Sequence, residues 1–233
     1  MDEGAGLVIA AGGDGTYNEV INGLALTDVP MAIVALGTTN VLAKELNIPE
    51  DVEAALKTAF EGNIHHVSLG RIDGRFFSLM AGIGFDGNAV YRVGHGLKRL
   101  GRIGYILSGL NVLLNYRPEE IELRIDDRVL RGYSAIIGNA RCYGGNFNIT
   151  PKADMLEPLL DLCLLMGNKR RDMLRYVIGI FANGRHLRFR DVHYEKVKGI
   201  EVIGNSHIQI DGDYFGRLPV NIEVVPDALR LIW

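Results

Sequence analysis

Hydrophobic and polar positions fall into two textures along the chain. Up to about residue 62, short unbroken apolar runs alternate with amphipathic stretches. From Ile64 onward, apolar and polar residues alternate with a period of two. Leu7-Val8-Ile9-Ala10-Ala11 and Met31 to Leu36 are apolar, β-branched runs of the kind that fits a buried parallel strand. Each leads through a polar turn into a helix. Thr16 followed by Glu19 predicts a capping box, with Val20, Ile21 and Leu24 on the buried side. Asn40 predicts the N-cap of a helix over Val41 to Leu46. Pro49 opens a third helix whose apolar positions Val52, Ala55, Leu56, Ala59 and Phe60 keep helical spacing up to Gly62. The alternating texture predicts strands at Val67 to Arg71, Arg75 to Met80, Ile121 to Asp126, Val129 to Ile137 and Val220 to Val225. The expected architecture is an α/β N-terminal domain with a parallel sheet, then a larger β-rich domain.

Composition narrows this picture only a little. With 233 residues, 48% hydrophobic and 23% charged, the chain can bury a large core, and its length suits two domains. A formal charge of −3 sets up no field that recruits nucleic acid, so no nucleic-acid partner is expected. Cys142 and Cys163 offer neither a disulfide framework nor metal-ligand spacing, which fits a reducing, cytoplasmic setting. No secretory signal is visible. The run from Ile103 to Leu114 is broken by Gly104, Ser108, Gly109 and Asn111 and is shorter than the ~20 residues a spanning helix needs. It follows Lys98, Arg99 and Arg102 and reads as a buried helix in preference to one lying on a membrane. Lys169-Arg170-Arg171 and the basic run Arg185 to Arg190 flank an apolar helix over Met173 to Ala182. A surface facing anionic lipid headgroups and a solvated helix end are both compatible with that pattern. Because a parallel strand needs neighbours from earlier crossover units, the chain reads as lacking its usual beginning.

The candidate chemistry starts where the first strand meets its helix. Gly12, Gly13 and Gly15 leave backbone amides uncovered beside a helix N-terminus, a geometry suited to phosphate. Asp14 inside that loop requires a cation or a transferable proton between it and the phosphate. Gly37-Thr38-Thr39-Asn40 is a second turn of the same kind, at the same edge of the sheet. Near the other end, Asp211-Gly212-Asp213 comes after the alternating Ile208-Gln209-Ile210. On an extended backbone its two carboxylates would point the same way, and the plain alternative is an Asp-Gly hairpin turn.

Gly12-Gly13-Asp14-Gly15-Thr16 after a strand and before a helix resembles the signature of the lipid-kinase family typified by diacylglycerol kinases and sphingosine kinases. Further motifs match in order. These are Gly37 to Asn40, Gly82-Ile83-Gly84-Phe85-Asp86-Gly87, Ile136 to Asn139 with Gly144-Gly145 and Thr150-Pro151, and Asp211 to Asp213. By its residues alone, Asp86 reads first as a helix cap. The resemblance implies a β-sandwich C-terminal domain and a nucleotide-binding domain over 1–66, joined by a returning tail at about 227–233, with 67–226 on the lipid side. It implies ATP held by Gly12, Gly13, Asp14, Gly15, Thr16, Asn18, Glu19, Gly37, Thr38, Thr39 and Asn40, with Mg2+ managed by Asp14. It also implies a structural Mg2+ held by Glu157 and by backbone oxygens of Asp154 and Leu159, and a general base at Asp211 or Asp213. The implied activity is transfer of phosphate from ATP to the hydroxyl of diacylglycerol or a similar membrane lipid. The enzyme would work peripherally at the inner face of the membrane, with a homodimer among its conceivable assemblies. A non-catalytic lipid- or nucleotide-binding relative and an NAD kinase are the alternatives. The chain departs from the family pattern at Val41 and Ser68, where diacylglycerol kinases commonly carry aspartates of a magnesium network.

Overall fold

The computed structural model describes residues 4–97, 117–143, 147–182 and 184–233. Lys98, Arg99, Arg102, the run from Ile103 to Leu114 and Gly144-Gly145 lie outside the described residues. The chain opens with β1 (Val8–Gly12), α1 (Asp14–Leu24), β2 (Met31–Ala35), α2 (Val41–Glu45) and α3 (Val52–Glu61). β1 and β2 run parallel, from Val8 opposite Met31 to Gly12 opposite Ala35, so both glycine turns leave the same edge of the sheet.

The returning end of the chain binds this α/β unit to the rest. β16 (Val220–Ile232) lies beside β2, parallel where Leu231 meets Met31, and antiparallel to β3 (Ile64–Ile72) along nearly all of β3. A register shift between Val225 and Leu229 lets this single long strand serve both ends of the sheet. The sheet continues through β13 (Gly199–Ile203), β6 (Ile121–Ile125) and β7 (Arg128–Gly132), with β4 (Arg75–Phe77) hung on β3. A second, six-stranded sheet has the order β12 (Val192–Val197), β11 (Leu160–Leu165), β8 (Ser134–Gly138), β5 (Met80–Ile83), β14 (His207–Ile210), β15 (Asp213–Arg217). Phe77, Ile83, Leu123, Ile137, Leu162, Ile208 and Val220 fill the space between the two sheets. Tyr17, Ile21, Ile33, Leu42, Leu69 and Leu229 make the core under the glycine turns. The molecule is thus a small α/β domain with a mixed sheet, followed by a β-sandwich-like domain. The expected division after residue 66 falls inside β3, and the tail is the last part of β16.

Several local expectations are corrected. α1 begins at Asp14 with Gly13 as N-cap and no side-chain cap bond, so Thr16 and Glu19 form no capping box. Thr16 instead packs against Gly12, where an added Cβ would lie 2.5 Å from its Oγ1, and Glu19 pairs with Arg75. The third helix is opened by Asp51, which accepts the Ala54 amide, and not by Pro49. Only Ala55 and Ala59 of its apolar positions are buried, while Val52, Leu56 and Phe60 are 45%, 37% and 73% exposed. Val129 to Ile137 is not one strand. It divides at Tyr133 into β7 and β8, which belong to opposite sheets, and Gly132 leaves room at that corner for Leu164.

Candidate active site

Two glycine turns lie backbone to backbone. The Gly12 carbonyl accepts the amides of Leu36 at 2.8 Å and Gly37 at 3.0 Å and the Tyr17 hydroxyl at 2.6 Å. A Cβ on Gly37 would lie 2.5 Å from the Gly13 Cα and 2.6 Å from Asn40 Oδ1, so no larger residue fits this approach. The first bond inside α1 runs from the Tyr17 amide to the Gly13 carbonyl at 3.1 Å. The amides of Asp14, Gly15 and Thr16 therefore stand at the helix mouth, where partial positive charge gathers. Gly15 has open space where a side chain would be. Burial, with Asp14 nearby, pushes the Tyr17 phenol up to about 12, keeping it a neutral donor to the loop.

Asp14 and Asn40 exchange the roles expected of them. Asn40 makes no cap bond; it adopts a left-handed conformation at φ 49° and donates its side-chain amide to the Gly37 carbonyl at 2.8 Å. The capping acceptor for α2 is Asp14, whose Oδ1 takes the Leu42 amide at 3.1 Å from the neighbouring βα unit. Asn40 Oδ1 is left buried without a donor between the two turns. Amides at a helix mouth and glycines in backbone contact fit a phosphate, and the orphaned acceptor beside them calls for a donor such as a hydroxyl or a water. Thr38 is exposed at the rim and Thr39 half-buried behind it.

The Asp211 turn meets this edge from the far end of the sequence. Asn18 Nδ2 donates to Asp211 Oδ2 at 2.7 Å. Asp211 Oδ2 also takes the Ser78 amide at 2.8 Å and the Ser78 hydroxyl at 3.1 Å, while Oδ1 takes the Leu79 and Met80 amides, both at 2.9 Å. Burial pushes the Asp211 carboxyl up, against these donors, which favour the charged form. The expected alignment of two parallel carboxylates does not occur, because Asp211 sits at φ 47°, off the extended backbone. Asp211 turns inward, and Asp213 begins β15 exposed. Arg75 joins the group, donating to Asn18 Oδ1 at 2.8 Å and pairing with Glu19.

A buried polar chain supports the turn from below. Asp86 is not a cap: it accepts the Tyr143 hydroxyl and Gln209 Nε2, each at 2.6 Å, from within the first turn of α4 (Phe85–Leu97). Burial raises its carboxyl pKa, against those two bonds. Gln209 Oε1 in turn accepts the Gly212 amide at 2.7 Å, so the turn hangs from Asp86 through one side-chain amide. A Cβ on Gly82 would overlap Asp86 Oδ2 at 1.8 Å, which explains a glycine there. Tyr143 stands in β9 (Cys142–Tyr143), paired to β10 (Phe147–Asn148).

The segment expected to hold a structural Mg2+ already carries a cation of the chain's own. Glu157 is paired with Lys196, whose ammonium also lies 4.0 Å from Asp161 Oδ2. The Asp154 backbone oxygen takes the Glu157 amide at 3.0 Å and its Oδ1 the Leu156 amide at 2.9 Å, and Leu159 leads into β11. Lys196 reaches this segment because it faces Asp161 across β11 and β12, while Asp161 Oδ1 takes the Tyr194 hydroxyl at 2.6 Å. Val41 and Ser68 are buried, Ser68 donating its amide to the Met155 carbonyl, and neither brings the carboxylate that the family pattern has there. Among the described residues no group of three His, Cys, Asp or Glu side chains is placed to hold a metal.

Tyr17, Arg75, Ser78, Tyr143 and Gln209 are site residues that the motifs did not name. Gln209 carried a usable signal, a polar side chain between two isoleucines on a strand leading into a glycine turn.

Residues 1–72 match the family described as "Diacylglycerol kinase catalytic domain", and residues 80–233 match "YegS C-terminal NAD kinase beta sandwich-like domain". A protein named diacylglycerol kinase from Bacillus subtilis (strain 168) is 33% identical over 221 residues, 91% of this chain and 73% of its own length. Another of that name from Staphylococcus saprophyticus is 29% identical over 230 residues, 95% of this chain and 74% of its own. A solved structure from Bacillus anthracis str. Sterne shares the fold with a TM-score of 0.78 at 22% identity, covering 98% of this chain and 77% of that one. The glycine loop, the sandwich and these relatives together place the chain in the bacterial diacylglycerol kinase family.

Proposed function

We propose that this chain is an ATP-dependent lipid kinase that phosphorylates the hydroxyl of diacylglycerol or a closely similar membrane lipid. The observation that carries the reading is the Asn18 to Asp211 bond of 2.7 Å, which brings the phosphate-type loop and the Asp-Gly-Asp turn to one place across the whole length of the chain. A bound ATP would supply the transferable phosphoryl group and bring its own divalent cation. The amides of Asp14, Gly15 and Thr16 would meet its phosphates, Asn40 Oδ1 would accept a hydroxyl or water, and Asp14 is the carboxylate nearest the loop for the accompanying ion. Transfer to an alcohol also needs an acceptor for the hydroxyl proton. Asp211, engaged by five donors, is a poor acceptor and a good anchor. Asp213, exposed at the start of β15, is assigned as the base, with Asp211, Gln209 and Asp86 fixing the turn that presents it.

Labelled ATP with Mg2+ and diacylglycerol in mixed micelles tests this reading. Label in the lipid phase, lost in Asp213→Asn, is the expected result. Label in NAD but not in lipid would replace the reading with an NAD kinase, and lipid binding without transfer would replace it with a non-catalytic relative.

A further inference from the structure

Helix α5 (Arg170–Phe181) is buried on one side only. Met173, Tyr176 and Gly179 face the sandwich domain, while Leu174, Ile178 and Phe181 are 44%, 58% and 53% exposed. At 3.6 residues per turn, Arg170, Phe181, Leu174, Ile178 and Arg171 fall in that order within an arc of about 100°. The outer face is therefore an apolar stripe with an arginine on either border. Lys169 precedes the helix, and exposed Arg185 and Arg188 come after it in the 3-10 turn packed against it. Arg175 does not add to the rim, being paired with Asp191 and stacked on Tyr176. Asp172 is turned back to cap the helix, accepting the Lys169 amide, and is 4.0 Å from Arg171.

We propose that this face of α5 is a docking surface for an anionic lipid bilayer, with the three apolar side chains at the acyl boundary and the basic rim at the headgroups. Such a pattern, apolar on one face and cationic at its edges, is that of a helix lying in a membrane interface. Charge distinguishes it from a second exposed apolar stripe among the described residues. Val52, Leu56 and Phe60 on α3 are accompanied by Asp51, Glu53 and Glu61, which an anionic surface repels. It also disfavours a second copy as the occupant, since a two-fold pairing of α5 faces would set arginine against arginine. The surface is tied to the site. Phe181 packs edge-on against Phe147 of β10 at 4.3 Å, and β9, its hairpin partner, carries the tyrosine bound to Asp86. Docking through α5 would hold that hairpin at the bilayer, where the lipid hydroxyl lies. This last link rests on the lipid-kinase reading, whereas the docking surface does not.

Co-sedimentation with vesicles of phosphatidylglycerol and phosphatidylcholine, against phosphatidylcholine alone, tests the proposal. Binding to the anionic vesicles that weakens as salt rises is expected. Removing each arginine in Arg170→Gln and Arg171→Gln should weaken it roughly fivefold, and Ile178→Asp with Phe181→Asp by at least about tenfold. The arginine pair is exposed and tolerates substitution, so it decides the matter even if the apolar pair compromises folding. No sedimentation of the wild-type chain with anionic vesicles, unchanged sedimentation of the variants, or a dimer in solution that Ile178→Asp dissociates would overturn the proposal. Transfer to a short-chain soluble diacylglycerol without vesicles should be unaffected by the two arginine variants. Absence of that transfer in the wild type would count against the kinase reading alone, leaving vesicle binding to judge α5.

Discussion

Two acidic segments, the turn at Asp211 and the loop from Asp154 to Asp161, both match family motifs that imply chemistry, yet they are built differently. Asp211 takes backbone amides from Ser78, Leu79 and Met80 and a side-chain amide from Asn18, all supplied by elements distant in sequence. Glu157 and Asp161 are instead served by Lys196, an ammonium carried by the neighbouring strand. A carboxylate fixed by neutral dipoles keeps its charge as part of the local field and can orient the turn that it opens. One paired with the chain's own cation has its charge answered within the fold, although Asp161 Oδ2 keeps no hydrogen-bond donor of its own. The presence of acidic residues at family positions is thus a weaker guide than the groups that answer them.

The largest effect should come from Asp213→Asn. Loss of a general base predicts a fall in phosphate transfer of roughly a hundredfold to ten-thousandfold. Melting should show stability within about 0.5 kcal/mol of the wild type, as for an exposed substitution. Asp211→Ala should act on both quantities. Stripping the acceptor from several enclosed donors predicts a loss of roughly 2–4 kcal/mol in denaturant unfolding, and activity falls with it. Equal stability in this variant would mean that Asp211 is no anchor.

Asp86→Asn is a finer probe of the same turn. It leaves one acceptor oxygen for two donors, the Tyr143 hydroxyl and Gln209 Nε2, so a loss of about 1–2 kcal/mol is expected, with a smaller drop in transfer than at Asp213. The pH dependence sharpens this. Burial raises the folded-state pKa of Asp86 above the unfolded value of about 3.9, so its stability contribution is complete below that pH. The contribution declines as pH rises through the folded value, and the Asn variant should lose that decline in melts taken across acid to neutral pH.

The smallest effects belong to the other segment. Glu157→Gln should cost about 1 kcal/mol or less, since Lys196 and Glu157 are partly solvated. A chelator should leave the melting temperature of the wild type where it was. A chelator-sensitive melt would contradict the assignment of Lys196 as the resident cation.

The sequence shows most of the fold, because its signals are local. The β-branched runs at Val8 and Met31, the glycine turns after them and the alternation beyond Ile64 each state their structure within a few residues. Junctions are illegible for the opposite reason. Asn18 and Asp211 are 193 positions apart, and their contact exists only because β16 returns beside β2 while β14 pairs with β5. The Lys196 pair depends on an antiparallel register that opposes it to Asp161, and no local pattern specifies that register. The Thr16 and Glu19 spacing misleads because tertiary partners, Gly12 for one and Arg75 for the other, claim both side chains.

The central claim is that Asn18, through Asp211, positions Asp213 for proton removal. A double-mutant cycle in the rate of phosphate transfer tests it, using Asn18→Ala, Asp213→Asn and the pair. Strong coupling is the expected result: Asn18→Ala slows transfer in the wild-type background and changes it little once Asp213 is gone. Fully additive losses would show that the two ends of the site act independently and would contradict the claim.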